Sequence, residues 1–254
     1  MKNKPRIDID WAIEGLRYAL DRGNIVVIVD TLRFSTATVT AVNNGFTIYP
    51  VSTRQSGMKL ARKLGAHLAG RPGRSKYSIS PHCYIKNRSD PNKEVVLFSP
   101  NGATCSESVK AGQIALIGCL LNARAIADYL YRICHELRKD ATVIAAGEQR
   151  AFKTGNRITY DLKAGYRVFA IEDYLGAGAI IDQCRLSRTT EAQLCARAFS
   201  SVRSRLIFFL KSSFSGRYLV EHHLQKDIEH ATKLNLYNVL PVVRARRIES
   251  INRS

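Results

Sequence analysis

Acidic residues are scarce in this sequence. Over 254 residues, 21 Asp and Glu face 39 Lys and Arg, a net charge of +18 with histidine neutral. The shortage is also local: residues 54–93 carry ten Lys or Arg against Asp90 alone, and residues 183–217 carry seven against Glu191 alone. Such fields attract phosphate, whether on a small metabolite or on nucleic acid, although basic stretches also serve as plain solvated surface. Long apolar runs are missing too. The longest aliphatic or aromatic runs, Ile25–Val29 and Leu206–Leu210, hold five residues, and a membrane-spanning helix needs about 20. The start, MKNKPRIDIDW, is basic but runs into Asp8 and Asp10 and lacks a signal-peptide core. A cytoplasmic protein with no membrane partner is expected.

Several functional signatures are absent as well. The cysteines Cys83, Cys105, Cys119, Cys134, Cys184 and Cys195 form no C-x-x-C pair, which argues against a cysteine metal cluster and for buried free thiols. There is no G-x-S-x-G, no P-loop and no G-x-G-x-x-G, so neither a serine hydrolase nor a nucleotide-binding enzyme is indicated. No histidine stands in a catalytic pattern, and no internal repeat is visible.

What is present is an alternation of short apolar runs with helical patterns. Residues 25–29, 46–51, 95–99, 114–118, 141–147 and 236–243 read as strands. Helices are expected before Asn44-Gly45, over 57–65, after Asn122 and over 172–182. The alternation predicts an α/β fold, layered α/β/α with a mostly parallel sheet. The chain is read as one domain, 1–254, with two lobes near 1–140 and 141–254 as the other division. Ligands of such sheets bind beyond the carboxyl ends of the strands.

That rim holds the candidate chemistry. The stretch IVVIVDTLRFSTATVT, residues 25–40, delivers Asp30 from the end of a buried strand. Asp30 suits a Mg²⁺ ligand, a base or a nucleophile, and equally a plain helix cap. Arg33 offers a planar fork for phosphate or sulfonate oxygens. Ser35 and Thr36 open a helix whose start favours anions. Asn101 and Gly102 form a turn after the 95–99 strand, and Gly147-Glu148 follows the 141–146 strand. Glu172 and Asp173 are adjacent acids that could share a cation or simply charge the first turn of a helix.

Read in order, VVIVDTLRFSTATVTAVNNG, LAGRPG, SPNGAT, AAGE, IEDYLGAGAII and SGRYLVEHHLQKDIEHATKLNLYNVLPVV resemble the 2-phosphosulfolactate phosphatase family over most of residues 24–243. The resemblance implies a Mg²⁺-dependent phosphatase acting on a sulfonated, phosphorylated three-carbon acid, in the route to coenzyme M. It implies catalytic and metal roles for Asp30, Glu172 and Asp173, with Arg33, Ser35, Thr36, Asn101 and Gly102 toward substrate; Arg71, where the chain departs from the family, is a further candidate toward substrate. One segment departs from the family. Gly70-Arg71-Pro72-Gly73 stands where relatives read Gly-Glu-Arg-Gly. The segment YSISPHC has Ser78 and Cys83 at acidic positions. An insertion, QRAFKTGNRITYD, follows Glu148.

Two readings follow. One is a phosphatase of a small phosphorylated or sulfonated acid, with a homo-oligomer allowed. The other is a divergent, inactive member binding an anion or nucleic acid through its basic surface. Nucleic acid is the less favoured partner, because few aromatic residues interleave the basic stretches and no recognition motif accompanies them. A further expectation is that Arg71, Arg74 or Lys76 neutralises substrate charge in place of the missing acids.

Overall fold

The computed structural model describes residues 4–71, 73–149, 152–154, 157–159 and 167–251. The run Ile25–Val29 is a strand buried at every position. Ile25, Val27 and Val29 enter one core and Val26 and Ile28 the other, as a strand covered on both faces requires. The first core is closed by helices Ala123–Leu137, Ile171–Gln183 and Thr190–Val202. The second is closed by helices Ala12–Asp21 and Phe34–Asn43. The fold is therefore α/β with helices on both faces of the sheet.

The main sheet has ten strands, in the order Ser187–Arg188, Arg6–Trp11, Ala141–Ala145, Ile25–Val29, Ala115–Ile117, Pro241–Arg244, Arg247–Ser250, Thr47–Val51, Glu94–Phe98 and His67–Leu68. Pairing is parallel except at the C-terminal hairpin, which is antiparallel to both of its neighbours. Each of those outer seams is a single residue pair, Val242 opposite Leu116 and Ile248 opposite Ile48. Helix Phe34–Asn43 touches the hairpin and the strands on either side of it, and its residues Phe34–Val42 are all buried. The residues that follow Ile25–Val29 and Glu94–Phe98 meet at its first turn, where Asp30 bonds to Ser99 and Gly102.

The expected strand over 236–243 is shorter and later, Pro241–Arg244, and its return strand Arg247–Ser250 lies beyond the sequence reading. Arg6–Trp11 is a strand beyond those expected, and it pairs beside Ala141–Ala145. Strands from before and after residue 140 thus interleave in one sheet. Within the insertion, the backbone at 152–154 pairs antiparallel with that at 157–159, while Arg150, Ala151, Gly155, Asn156, Tyr160 and Asp161 lie outside the described residues, as does Pro72. All six thiols are free, five of them buried and Cys83 half-buried. No helix among the described residues is long and apolar enough to cross a membrane.

Candidate active site

Asp30 follows the buried strand and is itself buried, with 5% of its surface exposed. Its carboxylate caps two helices at once. Oδ1 accepts from the Phe34 amide at 3.2 Å, and Oδ2 accepts from the Gly102 amide at 2.8 Å and the Ser99 hydroxyl at 3.2 Å. Phe34 and Gly102 are the first residues of their helices, where unsatisfied amides favour a negative charge. Burial nevertheless dominates and, with the nearby Glu148 charge, pushes the Asp30 carboxyl up to about 6.

Gly102 is needed for this approach. A methyl group there would meet the Phe34 ring and come within 2.9 Å of Asp30 Oδ2. The turn is locked from the other side by Ser35. Its hydroxyl accepts from the Asp30 amide at 2.8 Å and donates to the Ile28 carbonyl at 3.3 Å. Thr36 donates to the Thr31 carbonyl at 2.8 Å. Both hydroxyls are buried within the protein and spent on holding the turn.

The helix Ile171–Gln183 brings in the adjacent acids. Gly176 permits this, since a Cβ there would come within 2.9 Å of the Val29 side chain. Gly178 likewise lets the helix lie on Cys195 and Phe199. Asp173 spends both oxygens on backbone: Oδ1 accepts from Thr31 N at 2.7 Å and Oδ2 from Gly147 N at 3.0 Å. It ties the ends of two neighbouring strands together. Burial, with Asp30 and Glu172 close by, holds its carboxyl well above the usual range. Glu172 is buried beside Ser215 and Ser213, and burial raises its carboxyl as well.

A cavity of about 290 Å³ opens at this rim, lined by Asp30, Arg33, Asn101, Glu148, Ser215 and Tyr218 among others. Larger open depressions elsewhere on the surface lack this convergence of acids. Glu148, quoted in the AAGE motif but not weighed as a site residue, is a member. Its Oε1 accepts from Asn101 Nδ2 at 3.0 Å and its Oε2 from Ser215 Oγ at 3.1 Å. Arg33 lines the cavity with its side chain 12% exposed. Nη1 donates to Asp227 Oδ2 at 2.6 Å; no partner is found for Nε and Nη2 among the described residues. Arg33 is the cavity's one Lys or Arg among those residues.

Arg71 does not join this cluster. It is exposed on the loop after Gly70, and Arg74 is exposed beside it. Lys76 is engaged elsewhere, 2.5 Å from Asp90. The expected trio Asp30, Glu172 and Asp173 does not converge into a metal shell either. Among the described residues no three His, Cys, Asp or Glu groups are placed to hold one ion, and Glu172 and Asp173 do not line the cavity. The donor set that remains is Asp30 with Glu148, both facing the cavity. One or two carboxylates completed by water and substrate phosphate is how Mg²⁺ is commonly held. The acid excess around Asp30, with one arginine already paired, fits a divalent cation.

Layered α/β architecture with acids and an arginine gathered beyond the strand ends is an arrangement suited to phosphorylated small molecules. The model of the 2-phosphosulpholactate phosphatase family matches residues 14–246, and the chain belongs to that family of phosphoric monoester hydrolases. It is similar to a probable 2-phosphosulfolactate phosphatase of Carboxydothermus hydrogenoformans, 29% identical over 247 residues, 93% of this chain and 92% of the relative. It is 30% identical over 227 residues to the 2-phosphosulfolactate phosphatase of Methanothermobacter thermautotrophicus, 89% of each chain. A probable 2-phosphosulfolactate phosphatase of Thermotoga petrophila is 27% identical over 224 residues, 85% of this chain and 88% of the relative.

Proposed function

We propose that the protein is a Mg²⁺-dependent phosphatase that hydrolyses 2-phosphosulfolactate to sulfolactate, the substrate its relatives' names carry. The observation that supports this most is the juxtaposition in one cavity of the Asp30 carboxylate and the unspent donors of Arg33. A half-buried guanidinium with open donors binds phosphoryl oxygens, and a planar fork fixes their orientation. Asp30, gripped by two helix amides and Ser99, is a rigid acceptor that does not swing away on binding. Glu148 is oriented at both oxygens, by Asn101 and Ser215, and still faces the cavity. Asp30 and Glu148 would hold Mg²⁺, which when bound neutralises phosphoryl charge and readies water. Glu172 and Asp173 act behind this line, Asp173 by fixing Thr31 and Gly147.

The test is phosphate release from 2-phosphosulfolactate and a panel of small phosphorylated acids, with Mg²⁺ and with EDTA. Turnover of 2-phosphosulfolactate that needs Mg²⁺ supports the reading. Turnover unaffected by EDTA removes the metal role. No turnover of any phosphorylated acid, with salt-sensitive nucleic-acid binding instead, favours the binding-only alternative.

A further inference from the structure

Asp227 lies 194 residues from Arg33 in sequence and is buried on helix Gln225–Ala231, 2% exposed. Its two oxygens are divided between two segments of the cavity wall. Oδ2 takes Arg33 Nη1 at 2.6 Å, and Oδ1 takes the Ser80 hydroxyl at 2.7 Å. His82 stands further off, its Nε2 3.9 Å from Oδ1 and 3.1 Å from the Lys226 carbonyl. We propose that Asp227 is a positioning residue for Arg33: it clamps one edge of the guanidinium so that Nε and Nη2 face the cavity. The proposal rests on the reading of this cavity as a phosphate site.

An arginine side chain has many rotamers, and an unclamped one loses that freedom on each binding event. A clamp made in advance leaves more of the binding energy for the phosphate. Ser80 is the anchor that keeps Asp227 turned toward Arg33. It belongs to the YSISPHC segment, which thus serves the site through a hydroxyl bonded to a carboxylate. The contrary role is that of a mere counter-ion. In that case removing Asp227 would leave Arg33 with its full charge, and phosphate would bind more tightly.

Calorimetric titration of inorganic phosphate, with Mg²⁺ present throughout, separates these roles. Wild type binds phosphate. Asp227→Ala binds about tenfold more weakly, a loss of the size expected for a misaligned charge-assisted contact. Asp227→Asn keeps an oxygen for Nη1 and binds at least as tightly as wild type. Arg33→Ala binds weakly, and adding Asp227→Ala to it costs nothing more. Unchanged or tighter binding by Asp227→Ala overturns the proposal and leaves the phosphate site standing. So does a double variant whose loss is the product of the two single losses. A wild type that does not bind phosphate overturns the site reading itself. If circular dichroism shows Asp227→Ala unfolded, Ser80→Ala carries the test. It should bind about threefold more weakly and have no effect in the Arg33→Ala background, and an unchanged affinity overturns the proposal.

Discussion

Asp30 accepts from Phe34 N, Gly102 N and Ser99 Oγ and still lines a cavity. Its placement depends on a glycine it does not neighbour in sequence. Gly102→Ala should displace either the Phe34 ring or the Asp30 carboxylate. Overpacking of this kind costs about 1–3 kcal/mol, so a melting curve should show lower stability and phosphate release should fall with it. His230 gives a pH prediction. It is buried, with Nε2 3.0 Å from Thr40 Oγ1 and its ring 5.4 Å from that of His82. Burial, then the His82 charge, pushes its imidazole from 6.5 down to about 4. As pH falls through that window the unfolded chain takes the proton first, so stability is lost between pH 6.5 and about 4. Asp30 works in the opposite sense, since its raised carboxyl takes a proton more readily when folded. The comparison must therefore be between variants. His230→Gln should lose less stability than wild type from pH 7 to pH 4.5 in denaturant melts, and parallel curves would show that His230 does not titrate as its burial implies.

Among the elements, helix Ile171–Gln183 carries the most structural responsibility for the site. Asp173 is its tie to the strand ends at Thr31 and Gly147. Asp173→Ala leaves two inner amides without acceptors, at roughly 1–3 kcal/mol each. The melting temperature should drop markedly and kcat should fall with it; a variant of wild-type stability would contradict the tie. The sequence showed the helix; the close packing at Gly176 and Gly178 is seen in the structure. It showed Asp30, because a five-residue apolar run ending in an acid reads as a buried strand that delivers the acid to a rim, while leaving open whether that acid is a ligand or a helix cap. It did not show what the neighbours of Asp30 do. Ser35 and Thr36 lie on the right turn, but a hydroxyl's direction is set by φ, ψ and rotamer, and both turn inward. Glu148 stood in the AAGE motif, yet a single acid after a glycine draws less attention than the adjacent pair Glu172 and Asp173. The link from Asp227 to Arg33 crosses the whole fold, and no periodicity or motif announces it. The internal bonding of the YSISPHC segment was not legible. Ser78, Ser80 and Cys83 satisfy one another, with Cys83 Sγ donating to the Ser80 carbonyl at 2.9 Å and Ser80 N donating to Ser78 Oγ at 3.1 Å.

At the scale of the whole molecule, the residues after Ile25–Val29 and Glu94–Phe98 come together at the start of helix Phe34–Asn43, where Asp30 bonds to Phe34, Ser99 and Gly102. The +18 charge acts over the same scale. A multiply anionic substrate should be drawn toward such a surface, and salt should screen the attraction. Raising ionic strength from about 0.01 to about 0.15 M shortens the Debye length from roughly 30 to 8 Å. kcat/KM for a phosphorylated acid should fall while kcat holds, and a salt-independent kcat/KM would leave the basic surface without a part in substrate capture. The central claim is that the Asp30–Arg33 cavity is where phosphate ester is hydrolysed. Its most direct test is phosphate release from 2-phosphosulfolactate by wild type and by Asp30→Asn, in Mg²⁺, with circular dichroism and melting showing both folded. The account predicts turnover by wild type and a loss of at least about a hundredfold in kcat for the variant. A folded Asp30→Asn protein that releases phosphate at the wild-type rate would contradict it.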